Sequence, residues 1–394
     1  LNIYGEMRSN WYESGAVNDA FFNRVGTNVL LSGDAGTNWS SIYTTINSAN
    51  LILKHTPEIS FTNEATRNEV MANAYFLRAY CYFTLVRVFG DCPLLTSGFE
   101  SEKQEDMYPS RTAASEVYAQ VETDIEEALR LMPASSKLLH KASPAAINML
   151  RTEYYLWKAK RLGGGNAALS TAQSSVDAVL KAGYALLPTF ADIFNLNNEA
   201  NSELIWTLPY IVNENVTPGT SPNFFAYYLA PNGDRTRLRE AGYTEDEVPA
   251  GSHAQYVVPT QAYCDFLAED ARDTRTDVSV RVFEDKFLTE EVQIKRMVVK
   301  FKGSFANDTR SFDSDVPVYR LAEAYLLKAE AENALGNTDA ALQNLNVVAK
   351  RAYGVDNYYT ARTQDAIDNA IISEILKEFV AESKAWWAYL RFNK

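Results

Sequence analysis

Residues Ala329 to Leu342 read A-E-A-E-N-A-L-G-N-T-D-A-A-L. Ala, Leu and Glu favour helix. Gly336 ends the first run, and Asn337-Thr338-Asp339 caps the next. Small side chains such as Ala329 and Ala341 let two facing helices approach closely. This is the spacing of a tetratricopeptide hairpin: helix, glycine turn, helix. Outward from it, one helix is expected over Tyr319 to Leu335. A second carries Ala341, Leu345, Val348 and Ala352 and closes at Gly354. A last helix is expected from about Gln364 to Leu390, with Trp386 and Trp387 near its end.

The same period recurs upstream. Val70, Ala74, Leu77, Cys81, Leu85 and Val88 fall at steps of three and four, one face of a helix over Arg67 to Phe89. Gly90 stops it, and Pro93 forbids continuation. Ile42, Ile46, Ala49 and Leu53 trace a shorter stripe before Pro57, so the two predict a helical hairpin. Val117, Val121, Ile125, Ala128 and Met132 mark a third helix, closed by Pro133. Ser143-Pro144 is an N-cap followed by proline at the first helical position, opening a fourth with Ile147, Leu150, Tyr154 and Trp157. A fifth carries Leu169, Ala172, Val176 and Val179, and Gly183 ends it.

The pattern lapses between about Leu186 and Ser314. Glu203 to Leu208 reads as a short strand, and Val278 to Phe283 with Val292 to Phe301 as a small hairpin. Pro209 to Pro259 is rich in Pro, Gly, Asn and Tyr without a sustained period. The expected architecture is mainly α: tetratricopeptide-like helical hairpins form a scaffold, with a loop-rich insertion containing short β-strands. Residues 1–185 would be the N-terminal repeat portion. Residues 186–315 would be the insertion, facing a ligand, and 316–394 the C-terminal repeat, all in one compact body.

Composition narrows the function. The 394 residues carry 37 basic and 50 acidic side chains, a net charge of −13. That balance disfavours nucleic acid and unassisted docking on anionic lipid. It fits a soluble surface, with an acidic cleft for cationic ligands as the alternative. No run approaches the roughly 18 apolar residues of a membrane span. Three cysteines, Cys81, Cys92 and Cys264, give no disulfide framework. Cys81 is expected in the core. The chain starts at Leu1 without a signal peptide or a lipidation cysteine, as a trimmed or mature fragment would, so any membrane attachment must come from outside it.

Catalytic and cofactor signatures are missing: no G-x-S-x-G, H-E-x-x-H, Walker A or G-x-G-x-x-G occurs. Gly163-Gly164-Gly165 is a turn between helices. His55, His140 and His253 stand alone. Asn307, Asp308, Asp313 and Asp315 offer oxygen ligands that calcium would accept, in an order unlike an EF-hand. No other cofactor is suggested, and the chain is expected to bind rather than catalyse.

Three blocks of sequence carry a resemblance. W-S-S-I-Y-T-T-I-N-S-A-N-L-I-L (Trp39 to Leu53) is followed by A-Y-F-L-R-A-Y-C-Y-F-T-L-V-R-V-F-G-D-C-P-L (Ala74 to Leu94). V-P-V-Y-R-L-A-E-A-Y-L-L-K-A-E-A (Val316 to Ala331) is followed by A-L-Q-N-L-N-V-V-A-K-R-A-Y-G (Ala341 to Gly354). I-L-K-E-F-V-A-E-S-K-A-W-W-A-Y-L-R (Ile375 to Arg391) comes last. In order and spacing they resemble SusD/RagB proteins. The resemblance implies a surface lipoprotein of the Bacteroidetes outer membrane that caps a SusC-like TonB-dependent transporter. It would deliver oligosaccharides or, in some members, peptides, and its only membrane tie would be a lipid anchor outside this chain. The family often reads R-S-D-N where this chain has Arg8-Ser9-Asn10-Trp11, so an acid is replaced by Asn10.

Sugars present flat C–H faces to aromatic rings and hydroxyls to Asn, Asp and Arg. Arg8, Asn10 and Trp11, in a non-periodic segment, are candidate ligand residues. So are Trp39 and the loop aromatics Tyr210, Phe225, Tyr227, Tyr228 and Tyr256. Trp157, Trp386 and Trp387 sit in helical patterns and are expected to pack. Glycan capture, peptide capture and a purely protein-docking adaptor remain the three readings.

Overall fold

The computed structural model describes residues 2–15, 20–101, 108–216, 239, 242–249, 256–285 and 293–394. Along the chain the longer helices are α1 (Ala20–Gly26), α2 (Ser40–His55), α3 (Glu64–Phe89), α4 (Ala114–Leu131), α5 (Pro144–Arg161), α6 (Gly165–Leu180), α7 (Gln261–Leu267), α8 (Leu321–Ala334), α9 (Thr338–Tyr353), α10 (Gln364–Glu378) and α11 (Ala385–Phe392). The strands are β1 (Tyr12–Ser14), β2 (Leu204–Leu208), β3 (Val257–Pro259), β4 (Val280–Asp285), β5 (Gln293–Val298), β6 (Ser304–Ala306), β7 (Thr309–Ser311) and β8 (Val316–Arg320). Two compact units result: Thr37–Tyr184, and Leu1–Gly36 with Ala185–Lys394. The fold is mainly α, built of tetratricopeptide-like hairpins with a few short strands.

In the unit Thr37–Tyr184, each of α2 to α6 packs on the next. The stripe Val117, Val121, Ile125, Ala128 and Met132 is buried as read. So are Ile147, Leu150, Tyr154 and Trp157 on α5, and Leu169, Ala172, Val176 and Val179 on α6. Ser143 caps α5: its hydroxyl accepts from Ala146 N at 3.1 Å, with Pro144 in the first turn. Ser143→Ala leaves that N–H unpaired in a buried place and is expected to cost about 1 kcal/mol, read as a lower urea midpoint at unchanged slope.

The long helix α3 corrects one expectation. Leu77 is 36% exposed and Cys81 only half-buried, whereas Phe76, Ala79, Tyr82, Phe83 and Val86 are buried. Neighbours cover α3 on more than one side, so the quoted stripe was only one edge of a wide buried surface. Arg78 is buried within it and forks onto Asp124 of α4, with bonds of 2.7 and 2.8 Å, while also donating to Asn50 of α2 at 2.7 Å. A paired guanidinium thus ties three helices together.

In the other unit, α8 and α9 form the hairpin read from Ala329 to Leu342, with Ala329, Ala341, Leu345, Val348 and Ala352 buried. Gly336 has φ +85, the left-handed geometry that only glycine takes without cost. The helix begins at Leu321, not Tyr319, because Val316–Arg320 pairs antiparallel with Leu204–Leu208. β4 and β5 form the expected hairpin. β1 pairs with β3, with Tyr12 opposite Pro259 and Ser14 opposite Val257.

The expected final helix is two helices. Between α10 and α11, Ala381 and Ser383 take φ of +60 and +66. The break frees main-chain carbonyls that buried cations use. Lys300 Nζ donates to Glu378 O at 2.9 Å and Val380 O at 3.3 Å, and Arg320 Nη2 donates to Glu378 O at 2.7 Å. The backbone strain is thereby matched by charge-assisted bonds that a continuous helix would not offer. Around them, four buried cations (Arg275, Lys300, Arg320, Arg351) interleave with five buried carboxylates (Glu203, Asp273, Glu374, Glu378, Glu382).

Candidate functional site

Met7–Ser9 form a single 3-10 turn that ends at Asn10, whose φ of 63 is left-handed. Asparagine accepts that conformation more readily than most side chains. Asn10 is exposed. On one side of it, Arg8 donates from Nε to Asn28 Oδ1 at 2.6 Å, and its guanidinium lies 4.6 Å from the ring centre of Trp386. Asn28 returns a bond from Nδ2 to Arg8 O at 3.2 Å. On the other side, Trp11 donates from Nε1 to the Tyr389 hydroxyl at 2.6 Å. Its indole stacks on Phe266, with ring centres 5.5 Å apart, and lies 4.9 Å from Tyr263.

Trp386 and Tyr389 are three residues apart on α11, hence on one helix face. That face holds both Arg8 and Trp11. The result is a platform: a cation laid on an indole, an indole tied to a phenol, and an exposed amide. Tyr389 accepts from Trp11 and keeps its own proton to offer outward. Burial draws the Arg8 guanidinium down from its usual pKa, so part of its hydration is already stripped.

Glu6 lies beneath, 1% exposed. Oε1 accepts from Tyr12 Oη at 2.8 Å and from Ala381 N at 3.0 Å. Oε2 has no hydrogen-bond partner among the described residues. Burial pushes this carboxyl up to about 7, against the opposing pull of Tyr12, Ala381 and Lys300. Gly5 is needed beside it, because a Cβ there would meet Ser383 O at 2.1 Å.

The other candidates are placed separately. Tyr256 packs against Phe22, 5.5 Å between ring centres, and its carbonyl accepts from Gly15 N at the far end of the β1–β3 pair from Trp11. Tyr210 is half-buried, its N–H bonded to Asp315 Oδ1 at 3.1 Å. Trp39, in the unit Thr37–Tyr184, meets Tyr43 and Phe89 edge to face and carries Arg111 at 4.8 Å. Phe225, Tyr227 and Tyr228 lie outside the described residues. The acidic group considered for calcium is spent on local structure. Asn307 and Asp308 form the β6–β7 turn with φ of 50 and 59. Asp313 accepts from Ser304 N and Oγ, and Asp315 from Thr207 Oγ1. Among the described residues no group of three His, Cys, Asp or Glu is placed to hold a metal ion.

Trp386 and Tyr389 were the residues that sequence reading missed, since both sit in a helical pattern that argues for packing. The available signal was their i, i+3 spacing on a helix whose other aromatics, Trp387 and Phe392, are buried.

Comparison with known proteins identifies the family. Residues 5–155 match a SusD-like family described as starch-binding and associating with the outer membrane. Residues 284–394 match the SusD family. The chain belongs to the SusD/RagB family. Two SusD-like proteins of Formosa agariphila are 26% and 27% identical to it over 388 and 384 residues, covering 90% of this chain and 69% and 72% of theirs. Among solved structures, NanU of B. fragilis superposes with a TM-score of 0.83 at 25% identity, over 99% of this chain and 84% of that one. A SusD superfamily protein of Bacteroides vulgatus gives 0.83 at 26%, over 99% and 86%. At the level of the family, SusD-like proteins are surface glycan-binding proteins of nutrient uptake, binders rather than enzymes. No helix among the described residues is long and apolar enough to cross a membrane.

Proposed function

We propose that this SusD-like chain captures an oligosaccharide on the platform of Arg8, Asn10, Trp11, Trp386 and Tyr389. The carrying observation is the juxtaposition of a guanidinium on the Trp386 ring with the exposed, left-handed Asn10. Aromatic rings meet the C–H faces of sugar rings, and amide, guanidinium and phenol meet their hydroxyls. Tyr210, Phe225, Tyr227, Tyr228 and Tyr256 stay as proposed contributors to ligand capture or delivery, and Trp39, in the unit Thr37–Tyr184, as a proposed contact of that unit alone. The chain would hand its ligand to a SusC-like TonB-dependent transporter, held at the outer-membrane surface by a lipid anchor. Family membership supports that assignment.

Calorimetric titration with soluble starch, xylan, mannan and laminarin tests the reading, with a peptide pool alongside. At least one glycan is expected to bind. Arg8→Ala and Asn10→Gly, the latter keeping the left-handed φ without strain, should each weaken it about tenfold, a change of about 1.4 kcal/mol. Silence toward every glycan together with peptide binding would sink it.

A further inference from the structure

The unit that carries the platform also has a surface concavity. It is a groove of about 580 Å³ between α9 and residues 356–362, within the roughly 300–1,000 Å³ range of ligand sites. From Asp339 to Lys350 the helical wall runs ~16 Å, long enough for a short chain of rings rather than one.

Its construction says what it would take. The loop wall is fixed: Asn346 Nδ2 donates to Tyr359 O and Asn346 Oδ1 accepts from Tyr359 N, both at 2.9 Å. The Tyr359 hydroxyl is anchored on Glu374 Oε1 at 2.8 Å. Leu342, Val347 and the Tyr359 ring supply an apolar floor. Its charges come in opposite pairs, Asp339 with Arg362 and Lys350 with Asp356, the latter at 2.6 Å. The lining is therefore neutral in sum, and an anionic ligand or a free peptide terminus would find no unopposed charge. Exposed pairs of this kind contribute little in themselves, so their oxygens and nitrogens can be shared with ligand hydroxyls at small cost. Between them, the exposed amides of Gln343 and Asn357 and the hydroxyl of Thr360 make no side-chain bond. Such groups both donate and accept, as sugar hydroxyls require.

The geometry points to a second binding site in this groove, for a neutral oligosaccharide, separate from the Arg8–Trp386 platform. It rests on the glycan reading above for its ligand class. A protein with two such sites on one polymer gains avidity without any new contact.

The test uses affinity electrophoresis of the whole chain in gels containing soluble starch, xylan, mannan, laminarin or anionic alginate. Four proteins are compared: wild type, Arg8→Ala, Gln343→Ala/Asn357→Gly, and the combination. Glycine suits the φ of +52 at Asn357, and the anchoring Asn346 is untouched. With a neutral polysaccharide that retards the wild type, the groove variant should lose at least threefold in apparent affinity. Arg8→Ala should keep residual retardation, and the combination should lose it. A groove variant indistinguishable from wild type, or Arg8→Ala alone abolishing all retardation, overturns the second site and leaves the platform standing. Loss in the groove variant with none in Arg8→Ala supports the groove and overturns the platform. Retardation by alginate alone overturns the neutral-ligand assignment, and no retardation of the wild type by any gel overturns both.

Discussion

Arg320→Met is expected to destabilise the unit that contains it by about 3–5 kcal/mol, the range found when one member of a buried ionic group is removed. Arg320 is 1% exposed. Its Nε and Nη2 fork onto Glu382 at 2.8 and 3.0 Å, and Nη1 reaches Glu378 at 2.5 Å and Glu203 at 3.1 Å. The face of the guanidinium lies 4.2 Å from the ring centre of Phe379. Methionine fills much of the volume but leaves five buried carboxylates to share three cations, so the loss is electrostatic rather than a cavity. Lysine should not rescue, because one ammonium cannot serve three acceptors in a plane. Urea unfolding at pH 7.5 checks both variants; a change under 1 kcal/mol for Arg320→Met would falsify the account. The same network sets acid resistance. Burial alone would raise the Glu378 carboxyl, but Arg351, Arg320 and Arg275 hold it well below the usual range, and Glu382 is likewise depressed by Arg320 and Lys300. Depressed carboxyls give stability that is present above their unfolded value near 4.5 and lost as pH falls through the folded one. That loss should begin only below about pH 4.5.

Glu6 works in the opposite direction. Its folded pKa of about 7 stands above its ordinary 4.5. A raised acid binds its proton more tightly in the folded chain, so its contribution is complete below about pH 4.5 and is lost as pH rises through 7. With about 1.4 kcal/mol per pH unit, ionising Glu6 in place costs about 3 kcal/mol by pH 8. Glu6→Gln keeps the acceptor toward Tyr12 and Ala381 and cannot ionise. The difference in stability between wild type and variant should therefore move in the variant's favour by about 3 kcal/mol between pH 5 and 8. Urea midpoints across that window read it; a difference that stays flat would refute a protonated Glu6.

Local patterns were legible where one face of a helix meets one neighbour. The stripe from Val117 to Met132 and the Ser143-Pro144 start are of this kind, as is the Gly336 hairpin. Reading failed where the partner is distant in sequence. Phe76, Ala79 and Phe83 are buried because α3 is covered on several sides, which erases the contrast that periodicity needs. The break at Ala381 and Ser383 has no glycine or proline to announce it. It exists because Lys300 and Arg320, about 80 and 60 positions away, take the carbonyls it frees. The candidate site divides the same way. Arg8, Asn10 and Trp11 stood out as a non-periodic polar and aromatic segment. Their partners Trp386 and Tyr389 were hidden inside a helical pattern, and only the fold shows that the outer side of α11 receives them.

The bonds from Ala381 N to Glu6 and from Trp11 to Tyr389 join positions 375 and 378 apart in sequence. In a chain made from the N-terminus, the segment bearing Arg8 and Trp11 emerges well before α11, so it meets Asn28, Tyr263 and Phe266 before it meets Trp386 and Tyr389. The helices of Thr37–Tyr184 pack chiefly each on the next and can form meanwhile. The two halves of the proposed platform are thus made far apart in time and meet only when α11 arrives, so a chain cut short before Trp386 would have no platform at all.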